Sequence, residues 1–359
     1  MGRRNRCRSH RGQPSPVGRG RRTSPRPPAS VRPAVNGDRA GRFRRAVGAA
    51  VAVALVTVTL WLAGPGAVGA LIIGVTPAAM GWALAAAAGS LIFRGLRLSL
   101  LLPPGALGPV RAVPTAAVAQ AAAVFVPARL GEFALPWLLR RDIGRDGASG
   151  VATLLVARTL DTAALGAWAG VAVLFRWGLG APMALGAACL LLLPALLLPV
   201  TISTLDRWTA AREQGWGPTG LTWAGRLHRI RDGLDDARRR PVRLAAAAIA
   251  CMAAWAFQWT LAWNLLSAMG FLWPVWDVVT GSAVASISNL LPFNLVANFG
   301  TLEAGWTAAF ATMGVDLEVA AATGLACHIW ALIFAAVFGG IGWLVLGPAK
   351  QGPEQNVES

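Results

Sequence analysis

Between Ala46 and Leu346 the chain is built from alanine, leucine and valine runs, several of them long enough to cross a bilayer. A hydrocarbon core about 30 Å thick takes roughly 20 apolar residues as a helix. No water is available at that depth, so the backbone must satisfy its own polar groups. The chain is 55% hydrophobic and 14% charged, with a mean hydropathy of +0.54. Soluble domains carry about 25% charged residues. These runs specify an all-α, polytopic membrane protein.

Two stretches interrupt the pattern. The first is Pro127-Ala128-Arg129-Leu130-Gly131-Glu132-Phe133, continued by Arg158 and Asp161; the second runs from Pro292 through Asn298, Gly300 and Glu303 to Gly305. An ionised group in hydrocarbon costs about 3 kcal/mol or more, so it is rare unless it faces a cavity or a partner. Helix breakers at the same depth imply irregular backbone, which is tolerated only inside protein or beside water. Both stretches combine the two costs, and function is expected there.

The net charge of +17 is unevenly placed, with fourteen arginines before Ala46 and nine more in 206–243. Residues 1–45 read as a disordered basic tail that fixes orientation and touches anionic lipid rather than nucleic acid. Arginine-rich segments stay on the cytosolic side, which places the N-terminus inside a bacterial cell membrane. The transmembrane domain is expected over 46–347, with a cytosolic loop at 206–243 and a cytosolic tail at 348–359. Cys7, Cys189, Cys251 and Cys327 form no metal or redox spacing; disulfides are not expected, and the last three read as small apolar residues that pack in the spans. His10, His228 and His328 are too scattered for a metal site. No metal and no cofactor are expected.

About six full spans emerge: Ala46–Ala63, Trp82–Leu102, Ala148–Phe175, Ala181–Ile202, Ala245–Leu266 and Val319–Leu346. Arg94 and Arg97 lie near the inner end of the second, where long side chains can snorkel to the interface. The apolar piece Val113–Val126 covers only about 20 Å as a helix. With the piece ending in Arg140-Arg141-Asp142 it forms a re-entrant pair. A second broken pair is expected over Val278–Met313. Each half thus has flanking spans and one broken pair bearing a glutamate, the signature of an inverted-repeat transporter plan.

Arg129 and Glu132 share a helical face. They either close the turn as an ion pair, or Arg129 grips a lipid phosphate through its guanidinium fork while Glu132 orients it. Arg158 and Asp161 repeat the spacing and neutralise each other or line a polar path. Glu303 has no arginine nearby in sequence; it is protonated, carries a coupling proton or, the favoured expectation, pairs across the halves with Arg94, Arg129 or Arg158. Pro127, Gly131, Pro292 and Gly300 shape the turns. Asn294 and Asn298 cap a helix or donate to phosphate oxygens. Most of the tryptophans, including Trp177, Trp208 and Trp273, read as interfacial anchors. The acidic stretch Asp232–Arg238 has the wrong spacing for a metal-dependent phosphotransferase and reads as a charged helix. Walker, GxSxG and HExxH motifs are absent from the sequence.

Four motifs in order resemble the flippase-like membrane family, which includes the transmembrane region of lysylphosphatidylglycerol synthases. They are Arg94 with Arg97, Pro127 through Glu132, Ala157-Arg158-Thr159-Leu160-Asp161, and Leu291-Pro292 followed by Phe299 through Trp306. The chain departs from the family pattern in having Asn294, Ala297 and Asn298 at the second turn and His328 where relatives carry an arginine. The resemblance implies a non-enzymatic protein that translocates a lipid or lipid-linked headgroup, with membrane lipids as partners. The alternative is an accessory subunit of a lipid-glycan or hopanoid biosynthesis enzyme, docking a glycosyltransferase. No aminoacyl-transfer domain follows the last span, so lipid aminoacylation is not expected.

Overall fold

The computed structural model describes residues 54, 57–177, 200–211, 218–288 and 299–348. Its elements are α1 (Pro65–Ile73), α2 (Pro77–Leu101), α3 (Pro109–Phe125), a 3-10 segment (Pro127–Phe133), α4 (Ala134–Ile143), α5 (Gly147–Trp177), α6 (Pro218–Arg238), α7 (Pro241–Ala268), α8 (Val275–Ser288), α9 (Thr301–Thr312) and α10 (Leu317–Leu346). Residues 57–63 and 200–210 are also helical. The expected spans at 46–63 and 181–202 fall largely outside the described residues, as do both tails, Pro292, Asn294 and Asn298.

Among the described residues, α2, α5, α7 and α10 are long and apolar enough to span a membrane. Between them lie two pairs of shorter helices. α3 has 17 residues and α4 has 10. α8 has 14 and α9 has 12. At 1.5 Å per residue even α3 covers only about 25 Å, short of the roughly 30 Å core. Both broken pairs anticipated from the sequence are therefore present. Their limits extend beyond the expected ones, to Pro109 in the first and Val275 in the second.

The order long, short, short, long occurs twice, in α2–α5 and in α7–α10. Packing links the halves reciprocally. α2 lies along α7, α3 of the first half packs on α10 of the second, and α8 of the second packs on α5 of the first. The helices start where the sequence marks them. Pro77, Pro109 and Pro241 sit in first turns, where a missing N–H costs nothing. Asp146 opens α5 by accepting from Ala148 N at 2.8 Å. α2 ends just before Pro103 and Pro104, which cannot continue it.

Hydrophobic burial gives little drive between helices in lipid, so close backbone approach must hold them. Small residues provide it. A Cβ on Gly95 of α2 would lie 2.6 Å from Val113 Cα of α3, and one on Gly342 of α10 would lie 2.9 Å from Pro114 O. Large apolar side chains such as Trp82, Ile92, Ile249, Ile341 and Leu344 stay exposed, as a lipid-facing surface requires. The segment 206–243 contains α6, which packs on α5. Asp206 is buried there against Arg231, at 2.7 Å. The stretch Asp232–Arg238 is helical, as a charged surface helix should be.

Gly131 is the tightest of these approaches. A Cβ there would sit 1.8 Å from the carbonyl oxygen of Ala122, so the 3-10 segment lies directly on the α3 backbone. Backbone cannot swing aside as a side chain can. Gly131→Ala is expected to cost about 1–3 kcal/mol, typical of overpacking, and to lower the melting temperature in detergent, measured against Gly108→Ala, where nothing lies within 4 Å.

Candidate functional site

Arg97 Nη1 and Asp161 Oδ1 are 2.5 Å apart, joining α2 to α5, and both side chains are about nine-tenths buried. Arg94 stands one turn earlier on α2, with Nη1 3.8 Å from the same oxygen. Its guanidinium carbon lies 5.6 Å from the Trp255 ring, and its Nε donates to Ser90 Oγ at 3.4 Å. Arg158 Nη1 approaches Asp161 Oδ2 at 3.6 Å, while its Nε donates to Glu132 Oε2 at 3.1 Å. Arg158 is 42% exposed and Glu132 24%, so this pair forms the open end of the cluster. Cys251 of α7 adds its sulfur, 3.2 Å from Arg97 Nη1.

Three arginines thus face two carboxylates, leaving one positive charge when all are ionised. Arg97 Nε and Asp161 Oδ2 are buried without a hydrogen-bond partner, so the network is not saturated. A cleft of about 60 Å³ lies among these groups, with Gln120 on its wall. A surplus of guanidinium charge lining a cleft is suited to a phosphate or carboxylate oxygen.

This cleft shares Arg94 and Gln120 with a cavity of about 220 Å³, whose walls include Gln258 and Ser286 and reach His328. His328, Gln258 and Ser286 also line a third cavity of about 120 Å³. Three neighbouring cavities with shared walls are therefore lined by residues of both halves. His328 is the residue standing where the family resemblance places an arginine.

Glu303 is 1% exposed. Its Oε2 accepts from Gly300 N at 2.7 Å, and its Oε1 meets His328 Nδ1. Gly300 has φ of 96°, a left-handed value open to glycine, and this starts α9. The described partners of Glu303 thus belong to its own half, in place of the cross-half arginine expected from the sequence. An intrahelical pattern cannot reveal a partner 25 residues away on another helix.

Other expectations change too. Arg94 and Arg97 do not snorkel; they turn inward, because Asp161 offers a buried counter-charge. Arg158 and Asp161 do approach, but Asp161 is held closer by Arg97 and Arg158 by Glu132. Pro127 and Arg129 lie in the 3-10 segment, and their side chains fall outside the described structure. Cys251 belongs to the ionic cluster as well as to the packing, which no spacing rule could show. Trp259 and Trp306 are buried. Among the described residues, no group of three or more histidines, cysteines and carboxylates could hold a metal ion.

The fold and the site together define a polytopic helical membrane protein with a charged cleft inside its helix bundle. The family described as the lysylphosphatidylglycerol synthase TM region matches residues 45–339, and the chain belongs to it. No curated protein and no solved structure gives a match.

Removing one member of a buried ion pair strands the other's charge, at a cost of about 3–5 kcal/mol. Arg97→Met is therefore expected to destabilise strongly, and adding Asp161→Leu is expected to restore part of the loss. A double-mutant cycle of detergent melts with a coupling near zero would show that the pair is not made.

Proposed function

We propose that this chain translocates a lipid, or a lipid-linked headgroup, across a bacterial cell membrane. The observation that carries this reading is the arginine cleft inside the bundle with its surplus positive charge, open at Arg158 and next to a cavity that shares Arg94 and Gln120 with it. A phosphate-bearing head can move along such a path while its tails remain in lipid. Arg94, Arg97 and Arg158 hold the phosphate, Asp161 keeps them oriented, and Glu132 competes for Arg158 when no cargo is present. Arg129, three residues before Glu132 in sequence, is assigned to the same path by its charge alone. Glu303 extends the path in the second half through its contact with His328.

The two broken helix pairs give the chain elements that can rock without exposing long stretches of backbone to lipid. Movement needs no bond made or broken, so the protein acts without enzymatic chemistry. The arginine-rich tail and the 206–243 segment face the cytosol, where anionic lipid holds them.

The test uses purified protein in vesicles carrying a fluorescent anionic phospholipid, with bleaching of the outer leaflet as readout. A charge-assisted hydrogen bond is worth about 1.5–3 kcal/mol, so Arg158→Ala is expected to slow movement by roughly tenfold or more. Equal rates for wild type and an Arg158→Ala, Glu132→Ala double variant would overturn this assignment. Inactivity of wild-type protein alone, with recovery of a bound glycosyltransferase from native membranes, would favour the accessory-subunit reading instead.

A further inference from the structure

Glu303 differs from the carboxylates of the arginine cleft in its counter-charge. It is buried, and among the described residues its charged partner is His328, with no arginine or lysine in contact. Its Oε2 accepts from Gly300 N and its Oε1 meets His328 Nδ1, so both oxygens face nitrogen. Such a site offers a metal cation no cage of oxygens, but it can hold a proton. An arginine stays charged at every accessible pH, whereas a histidine is a cation only when protonated. One proton therefore decides the net charge of this pair.

The pair is placed where a proton can reach it. His328 lines the cavities of about 220 and 120 Å³. Its Nδ1 turns to Glu303, and neither ring nitrogen is among the atoms sealed off without a partner, so Nε2 is the atom that meets the cavities. The Phe299 ring lies against the imidazole, with centroids 4.8 Å apart. Arg94 of the arginine cleft lines the wider of the two cavities. α10 packs on α1, α3, α7 and α9. Of these, α1 brings no titratable group, α3 brings Arg111 near its start, α7 brings Arg243 and Cys251, and α9 brings Glu303. α10 itself adds Glu318 in its first turn and Cys327 beside His328. Glu303 is the one that meets the imidazole, and Arg94 faces it across a shared cavity.

The charges close on one proton. The described cleft carries one surplus positive charge. Ionised Glu303 beside a neutral imidazole carries one negative charge. Together they sum to zero, and net charge is costly inside a membrane protein. A singly charged phosphate in the cleft leaves one negative charge over, and a proton on the imidazole removes it. We propose that Glu303 and His328 take up one proton from water with each singly charged phosphate headgroup that the arginine cleft binds, so that anion and proton travel together. This rests on the reading that the cleft holds the phosphate, and it adds the ion that drives the movement. Such coupling is reciprocal, each ligand tightening the binding of the other. The headgroup is therefore drawn away from the more acidic side.

The experiment titrates the full-length protein in mild detergent with short-chain phosphatidylglycerol, by calorimetry in buffers of unlike protonation heat, which counts the protons taken up per lipid. The phosphodiester does not titrate near neutral pH, so any uptake belongs to the protein. Wild type is expected to take up about one proton per lipid, and its affinity to fall by as much as roughly tenfold per unit rise in pH where uptake occurs. His328→Arg fixes the positive charge of the pair. Glu303→Gln removes the negative one and leaves an oxygen for Gly300 N. Each is expected to abolish the uptake and to make the remaining affinity independent of pH; melting without ligand verifies that the variants fold. A pair that merely fastens α9 to α10 would change their melting but not the proton count. In vesicles with an imposed pH difference, fluorescent phosphatidylglycerol is expected to leave the acidic side about fivefold faster or more than the alkaline side, and to leave both sides equally in His328→Arg.

Binding by wild type without proton uptake, weakened by Arg158→Gln, would overturn the proton linkage and leave the phosphate cleft standing. Uptake that persists in both His328→Arg and Glu303→Gln would also overturn it, by placing the proton elsewhere. No binding of the lipid by wild type would remove the cleft reading and this one together. Glycerophosphoglycerol, the same headgroup without tails, separates the two sources of the anion. Tighter binding of it than of the lipid, with the same uptake, would keep the role of the pair and reassign the cargo as soluble.

Discussion

The ion pair of Arg97 with Asp161 is the contact on which the first half of the bundle depends. Two ionised side chains, each about nine-tenths buried, face one another at 2.5 Å between α2 and α5. Desolvating both costs several kcal/mol, and only close geometry with further hydrogen bonds offsets it. Here Arg97 also reaches the Ala157 carbonyl at 3.5 Å and the Cys251 sulfur, so α7 joins the same knot. Such a pair fixes the rotation of α2, and with it the direction in which Arg94 projects. Without Asp161, the arginines would have every reason to leave the bundle.

The cleft around that pair exists because the helices beside it are short and their backbones are close. Gly131 lets the 3-10 segment lie on α3, and Gly95 brings α2 against it. That proximity brings Glu132 within reach of Arg158 on a helix that begins 15 residues later in the chain. A continuous span in place of α3 and α4 would carry its polar residues past one another in the membrane. The break converts sequence neighbours of Pro127 into a lining for the cleft.

The second half repeats the arrangement with different chemistry. Its short pair, α8 and α9, carries Glu303, which meets a histidine on α10 and caps its own helix. Around it stand indoles and small hydroxyls in place of guanidinium groups. The repeated architecture therefore supplies two unlike cavities, one lined by arginines and one whose described lining has no arginine or lysine. The reciprocal packing of α3 on α10 and of α8 on α5 keeps the two halves in contact.

Much of this was readable from residue order. Apolar runs long enough to cross hydrocarbon, and prolines between runs too short to do so, follow from local physics, and they announced the four long helices described and both broken pairs. The cost of charge in lipid singled out Arg129, Glu132, Arg158, Asp161 and Glu303 before any geometry was known, whereas Arg94 and Arg97 were expected to snorkel. Pairing was not readable. Asp161 sits three residues from Arg158 yet lies closest to Arg97, 64 positions away; Glu303 meets His328; and Trp259 and Trp306 look, in sequence, like any other tryptophan of a membrane protein. Transfer cost is a property of each residue and its neighbours along the chain, so sequence determined which groups had to be sheltered. Which partner shelters each one depends on helix rotation and interhelical distance, and only the packed bundle decided that.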